Sequence, residues 1–245
     1  MKSLLTNSIL FITLNIIVQN PVLALDEDQL SCLLEPSEEI DIASQVTGVV
    51  SRVNGERGDH VKKGKVLITL EQGLEVAEVN LAREKVQFSE RKVDRNQELI
   101  DSGLLTANEA DEIRTELKLY ELELKKAQEN LQQKIIYSPV NGVIIERLVS
   151  KGEYAGTDPL MKLAVLDPLH AEVIMKAEDY GLIKKGMKAS IVPEGRQDES
   201  FTGTVKIVDQ VIDAASATFG VVIEISNPGF KLPAGLRCRV HYLDN

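Results

Sequence analysis

The chain has no tryptophan, and phenylalanine and tyrosine together make up only 4% of its 245 residues. Such scarcity argues against a deep aromatic ligand pocket and suits long helices and small β-modules. Histidine occurs three times, at the scattered positions His60, His170 and His241, which is poor material for a histidine metal site. Positive charge is in short supply: 28 Lys and Arg face 38 Asp and Glu, for a formal charge of −10 and a pI near 5.0. An acidic surface repels phosphate backbones, so nucleic acid is not an expected partner. The sequence also lacks a nucleophile elbow, a P-loop, a zinc-ligand cluster and a dinucleotide fingerprint. No catalytic role and no cofactor are expected. Most carboxylates fall on a helical segment, where a solvated face accounts for them.

What is present begins with an export signal. Met1-Lys2 is weakly positive, Ile9 to Val18 is mostly apolar, and Val22-Leu23-Ala24 has the small-residue pattern of a cleavage site. Residues 1–24 therefore read as a secretory signal peptide. The alternative is an uncleaved anchor, but the apolar core is short of the roughly 20 residues that a span requires. The rest of the chain has no second stretch able to cross a membrane. Export bears on the two cysteines, Cys32 and Cys238. In an oxidising compartment they can pair, or they can remain two separate buried thiols.

The next signal is the helical segment 73–134, which has no proline. Ala110, Leu117, Leu124 and Leu131 recur every seven residues, with Ile113, Tyr120 and Ala127 three residues after the first three. Val79, Val86, Val93 and Ile100 form a matching row, partnered by the small or polar Ala82, Ser89 and Asn96. Such a/d heptads predict a coiled coil. Between the rows, Gly103 suits the left-handed residue after a helix end, and Thr106 with Glu109 forms a capping box. An antiparallel hairpin over 73–101 and 107–134 follows, each arm about 40 Å long. Leu119 and Leu122 fall outside the seam and are candidates for packing between protomers.

The segments on either side of the hairpin match each other. Before it stand Val46-Thr47-Gly48-Val49-Val50 and Gly58-Asp59-His60-Val61-Lys62-Lys63-Gly64; after it stand Pro139-Val140-Asn141-Gly142-Val143-Ile144 and Lys151-Gly152-Glu153. In each half a glycine opens a strand, and glycine turns follow. Two copies of one small β-motif, split by a long hairpin, resemble the periplasmic adaptor subunits, also called membrane fusion proteins, of tripartite efflux pumps and type I secretion systems.

The resemblance implies an α+β fold: an elongated coiled-coil hairpin inserted in a split lipoyl-like β-sandwich, followed by a small β-barrel. The expected parts are an N-terminal segment (25–37), a first lipoyl-like half (38–72), the hairpin (73–134), a second half (135–166) and the barrel (167–245). In the barrel, a short helix is expected at 178–185 and strands at 188–192, 201–208 and 219–225. The last strand should bury Cys238 and Val240 and expose Arg237 and Arg239. If the N-terminal strand passes beside it, Cys32 and Cys238 come close together.

The resemblance also implies a location and partners. The protein is expected in the periplasm, associated with the inner membrane through its partners. These are an inner-membrane transporter, with the resistance-nodulation-division type favoured, an outer-membrane channel, and copies of itself in a trimer to hexamer. Arg95, Leu99 and Thr106 match the spacing of the family's channel-docking motif, with Thr in place of the usual Ser. A carrier role for a biotinyl or lipoyl subunit is the alternative of a different class. Met161-Lys162-Leu163 looks like an attachment site but falls where a closing strand is expected.

Overall fold

The computed structural model describes residues 30–243. The signal-peptide reading of residues 1–24 lies outside the described residues. Two helices dominate the middle of the chain, α1 (Gly73–Asp101) and α2 (Ala107–Gln133). Val79, Ala82, Val86 and Ser89 of α1 and Ala110, Ile113 and Ala127 of α2 are buried in the seam between them. Lys85 pairs with Glu123 and Lys92 with Glu116, so residue numbers fall on one helix as they rise on the other and the pair is antiparallel. Each lysine is held above its ordinary pKa by the carboxylate that accepts its hydrogen bond.

The hairpin grows out of a sandwich of two sheets. One sheet has the order β5 (Ile135–Tyr137), β4 (Val66–Leu70), β2 (Gly48–Val53), β7 (Tyr154–Ala155). The other is made of β3 (His60–Val61), β6 (Gly142–Arg147), the first part of β8 (Met161–Lys176) and the second part of β1 (Ser31–Ile42). Their inner faces bury Leu67, Ile68, Leu70, Ile144, Met161 and Leu163 in one core. Gly142, which opens the second half-motif, is required by close approach: a Cβ there would sit 2.5 Å from the Ala164 carbonyl oxygen of β8.

The remaining strands are β9 (Lys188–Pro193), β10 (Phe201–Val208), β11 (Thr218–Ile225) and β12 (Arg237–Tyr242). They pair in the order β1-β12-β9-β10-β11-β8, and β1 also pairs with β8. That last pairing closes a six-stranded barrel, which removes free sheet edges. Its interior holds Leu34, Leu169, Met175, Ile191, Ile223 and Val240. Within β12, Cys238 and Val240 point inward while Arg237 and Arg239 face solvent.

Continuous strands cross two of the expected boundaries, and one expectation needs correction. The boundaries at 37/38 and 166/167 fall inside continuous strands: β1 and β8 each run through both barrel and sandwich, paired from Cys32↔Val173 to Ile42↔Met161. The segment 25–37 is thus not separate from the barrel over its described part. The helix expected at 178–185 is a single 3-10 turn at Ala177–Asp179. Tyr180 is extended, its ring packs edge-on against Phe219 at 5.3 Å, and Gly181 has φ +93°, so the turn cannot propagate. Tertiary packing here overrides local propensity.

Two further contacts join the parts. His60 of the sandwich stacks on Phe230 of the barrel, with ring centroids 4.7 Å apart. At the hairpin base, Lys134 pairs with Glu75 at 2.9 Å and donates to the Thr47 carbonyl at 3.2 Å, which ties both helices to the sandwich.

Candidate docking tip of the helical hairpin

The tip is built by two helix ends that stop and start for local reasons. At the end of α1, Gly103 N–H donates to the Ile100 carbonyl and Leu104 N–H to the Leu99 carbonyl, with Gly103 at φ +69°. This is the Schellman arrangement, which closes the orphan carbonyls of a helix end and reverses the chain. Three residues later α2 begins. Glu109 N–H donates to the Thr106 hydroxyl at 3.3 Å, and Thr106 N–H donates to the Glu109 carboxylate at 2.9 Å. The Thr106 hydroxyl also donates to that carboxylate at 2.7 Å. These donors hold the Glu109 carboxyl below its ordinary pKa.

Arg95, Leu99 and Thr106 are all exposed. Arg95 and Leu99 are one turn apart on α1, and among the described residues Arg95 forms no hydrogen bond or ion pair, so its guanidinium is free to bind outward. Thr106 is different: both its hydroxyl functions are committed to the cap. The tip also presents Leu104, 74% exposed and the most open apolar side chain of the reversal. Sequence reasoning missed Leu104, because a leucine in a Gly-Leu-Leu turn carries no signal of which one faces out.

A second omission lies along the rod. Leu119 and Leu122 are 55% and 53% exposed. Leu74, Leu81 and Phe88 of α1 are also exposed, at 70%, 63% and 51%, and recur every seven residues. They therefore form one stripe. Leu119 holds the matching heptad position of α2, and like positions share a flank in an antiparallel pair. The missing step was to look for a second seven-residue row beside the seam.

The other candidates resolve simply. Lys162 lies within β8, paired in register with Asp41 of β1 and flanked by the carboxylates of Asp41 and Glu146 at 3.9 and 3.8 Å. An attachment lysine needs an exposed turn, so this is a strand residue. Cys32 and Cys238 are register partners on β1 and β12 and are joined as a disulfide. Among the described residues no group of three or more His, Cys, Asp or Glu is placed to hold a metal ion. No helix among them is long and apolar enough to cross a membrane.

Comparison with known proteins places this architecture. Residues 38–164 match the family model of the CzcB-like barrel-sandwich hybrid domain. The chain belongs to the periplasmic adaptor, or membrane fusion protein, family. Residues 169–245 match the CusB-like beta-barrel domain as well. Among curated adaptors, the cobalt-zinc-cadmium resistance protein CzcB of Cupriavidus metallidurans is 25% identical over 211 residues, covering 80% of this chain and 40% of that protein. The efflux pump periplasmic linker BepD of Brucella suis is 22% identical over 236 residues, covering 84% of this chain and 59% of BepD. The chain thus spans about half the length of the curated relatives it matches. Among solved structures, a MacA-MexA chimera carrying the Pseudomonas aeruginosa MexA α-hairpin superposes with a TM-score of 0.74 at 19% identity, over 87% of this chain and 79% of that one. This likeness shows the shared fold.

Proposed function

We propose that this adaptor works in the periplasm, bridging an inner-membrane transporter to an outer-membrane channel in a tripartite efflux pump, with the hairpin tip as the channel-docking surface. The observation that carries this reading is the open tip: an unpaired Arg95, with Leu99 one turn on and Leu104 at the reversal, at the far end of a stapled antiparallel rod. Arginine offers directed donors to helix-end carbonyls or carboxylates of a partner, and the leucines offer apolar fill. The pump assignment is supported by relatives named for cation resistance and efflux. A transporter of the resistance-nodulation-division type is favoured by the CusB-like barrel match. Leu119, Leu122 and the Leu74–Leu81–Phe88 stripe are proposed to pack against neighbouring protomers in a trimer to hexamer.

Thr106 enters this proposal mainly as the cap that shapes the tip. Thr106→Asp is a poor probe, because it sets a second carboxylate against Glu109; Thr106→Ser keeps the capping box. The test is Arg95→Asp and Leu104→Asp, each scored for efflux in a complementation assay and for crosslinking to the channel. Both should abolish transport and crosslinking at normal protein level and helicity, while Thr106→Ser behaves as wild type. Normal transport by both aspartate variants would refute tip docking.

A further inference from the structure

The rim of the barrel remote from the hairpin collects apolar side chains on loops. β8 leaves the sandwich at Met161 and ends at Lys176, while β1 runs antiparallel to it, so Ser31 and Lys176 lie toward the remote end. Lys176 pairs with Thr218, and Ala177 N–H donates to the Ala217 carbonyl. Leu243 N–H donates to the Lys188 carbonyl, and Val240 N–H to that of Leu30. The loops over 177–187 and 209–217 therefore share one rim with both ends of the described chain. On it Val211 is 81% exposed, Tyr180 46%, Leu182 43% and Ile212 40%. The buried Ile183, 3% exposed, anchors the first loop in the barrel core, so Leu182 is held outward rather than left loose.

Charge on this rim is balanced although the chain as a whole carries −10. Lys176, Lys184, Lys185 and Lys188 stand against Glu178, Asp179, Asp209 and Asp213. Apolar tips and a tyrosine, flanked by lysines whose stems can lie along them, suit the interfacial layer of a bilayer. The alternative reading of residues 1–24, an uncleaved anchor, would place the same end at a membrane. The apolar run at residues 9–18 joins the fold at Leu30 through about 12 residues, which span at most about 40 Å when extended. A chain held at a membrane by that run would bring this rim to the lipid and leave the hairpin tip pointing away.

We propose that the rim bearing Tyr180, Leu182, Val211 and Ile212 rests on a lipid bilayer surface, through apolar insertion of its loop tips rather than through charge. The absence of tryptophan makes a single-tryptophan reporter unambiguous. In the full chain carrying Val211→Trp, phosphatidylcholine vesicles should shift the emission to shorter wavelength, and brominated acyl chains should quench it. Both effects should persist at high salt, because screening weakens charge attraction and not apolar contact. Lys118→Trp, at an exposed position of the hairpin outside the proposed contacts, should show neither. Adding Leu182→Asp and Ile212→Asp to the Val211→Trp reporter should lower the vesicle affinity read from quenching about tenfold, from loss of partly buried apolar area. Circular dichroism should stay unchanged. Emission that ignores vesicles overturns the proposal. A shift that follows protein concentration without lipid also overturns it, by assigning the rim to a second copy. So does a shift that needs a membrane protein in the vesicle. None of these readouts involves the outer-membrane channel, so failure here leaves tip docking standing.

Discussion

Breaking the Cys32–Cys238 bond is the perturbation whose size the topology sets most directly. The two residues are 206 positions apart, and the bond closes nearly the whole described chain into one loop. The loop-entropy model gives an upper contribution of about 5 kcal/mol for a loop of this length. The folded barrel offsets part of the loss. β1 stays paired with β8 along most of its length, and both sulfurs sit in the core, with Cys32 4% and Cys238 1% exposed, where thiols pack as small apolar groups. What the bond reinforces most is the seam between the start of β1 and β12, which pair at three register positions, Ser31, Cys32 and Leu33. We expect Cys32→Ala with Cys238→Ala to cost about 3 kcal/mol, or about 10 °C in melting temperature for a chain of this size. Reductant should produce the same shift in wild type and none in the variant. Amide exchange should speed up first at Leu34, whose N–H donates to the Leu236 carbonyl across this seam, before the β10–β11 pairing loosens. Melting that is indifferent to reductant would refute the reasoning. So would two freely titrating thiols in the exported protein, denatured without reductant.

Two further expectations rest on polar groups that are partly or fully buried. Lys134→Met leaves the Glu75 carboxylate, 15% exposed, without its partner and should cost about 2 kcal/mol by denaturant melting. In wild type the Lys134 hydrogen bond is the main cause that holds Glu75 below its ordinary pKa, so its stabilisation is complete above the unfolded value and is lost as pH falls through the lower folded value. The variant should lack this acid-side loss in a stability-versus-pH series. Asn227, 2% exposed, donates to the Leu166 and Leu232 carbonyls and accepts from Leu232 N–H; Asn227→Ala should cost about 3 kcal/mol, read as a lower melting temperature with the hairpin helicity intact.

The hairpin was legible before any coordinates. Its seam, its reversal at Gly103 and its cap at Thr106 rest on contacts three to seven residues apart, and the helices run Gly73–Asp101 and Ala107–Gln133. The in-and-out alternation of the last strand was legible for the same reason. For the tip, the spacing of Arg95 and Leu99 was visible, but the outward turn of Leu104 and the commitment of both Thr106 hydroxyl functions to the cap were not. Those depend on how one reversal is folded rather than on which residues it contains.

Tertiary structure alone decided how the β-units are joined. Closure of the barrel needs β1 to reach β12 and β8, partners that lie more than a hundred residues away, and no periodicity within β1 encodes either. The same pairing makes β1 and β8 common to barrel and sandwich, so single strands run across the expected domain boundaries. It also brought the cysteines together, which their positions near the two chain ends left undecided. At 177–179 the reverse held: a sequence able to form a helix was stopped after one turn, because packing Tyr180 on Phe219 required an extended backbone there. Helices follow from neighbours in sequence, whereas strand partners follow from which distant surfaces must bury each other. The sequence therefore determined the rod, and the fold determined what the rod is mounted on.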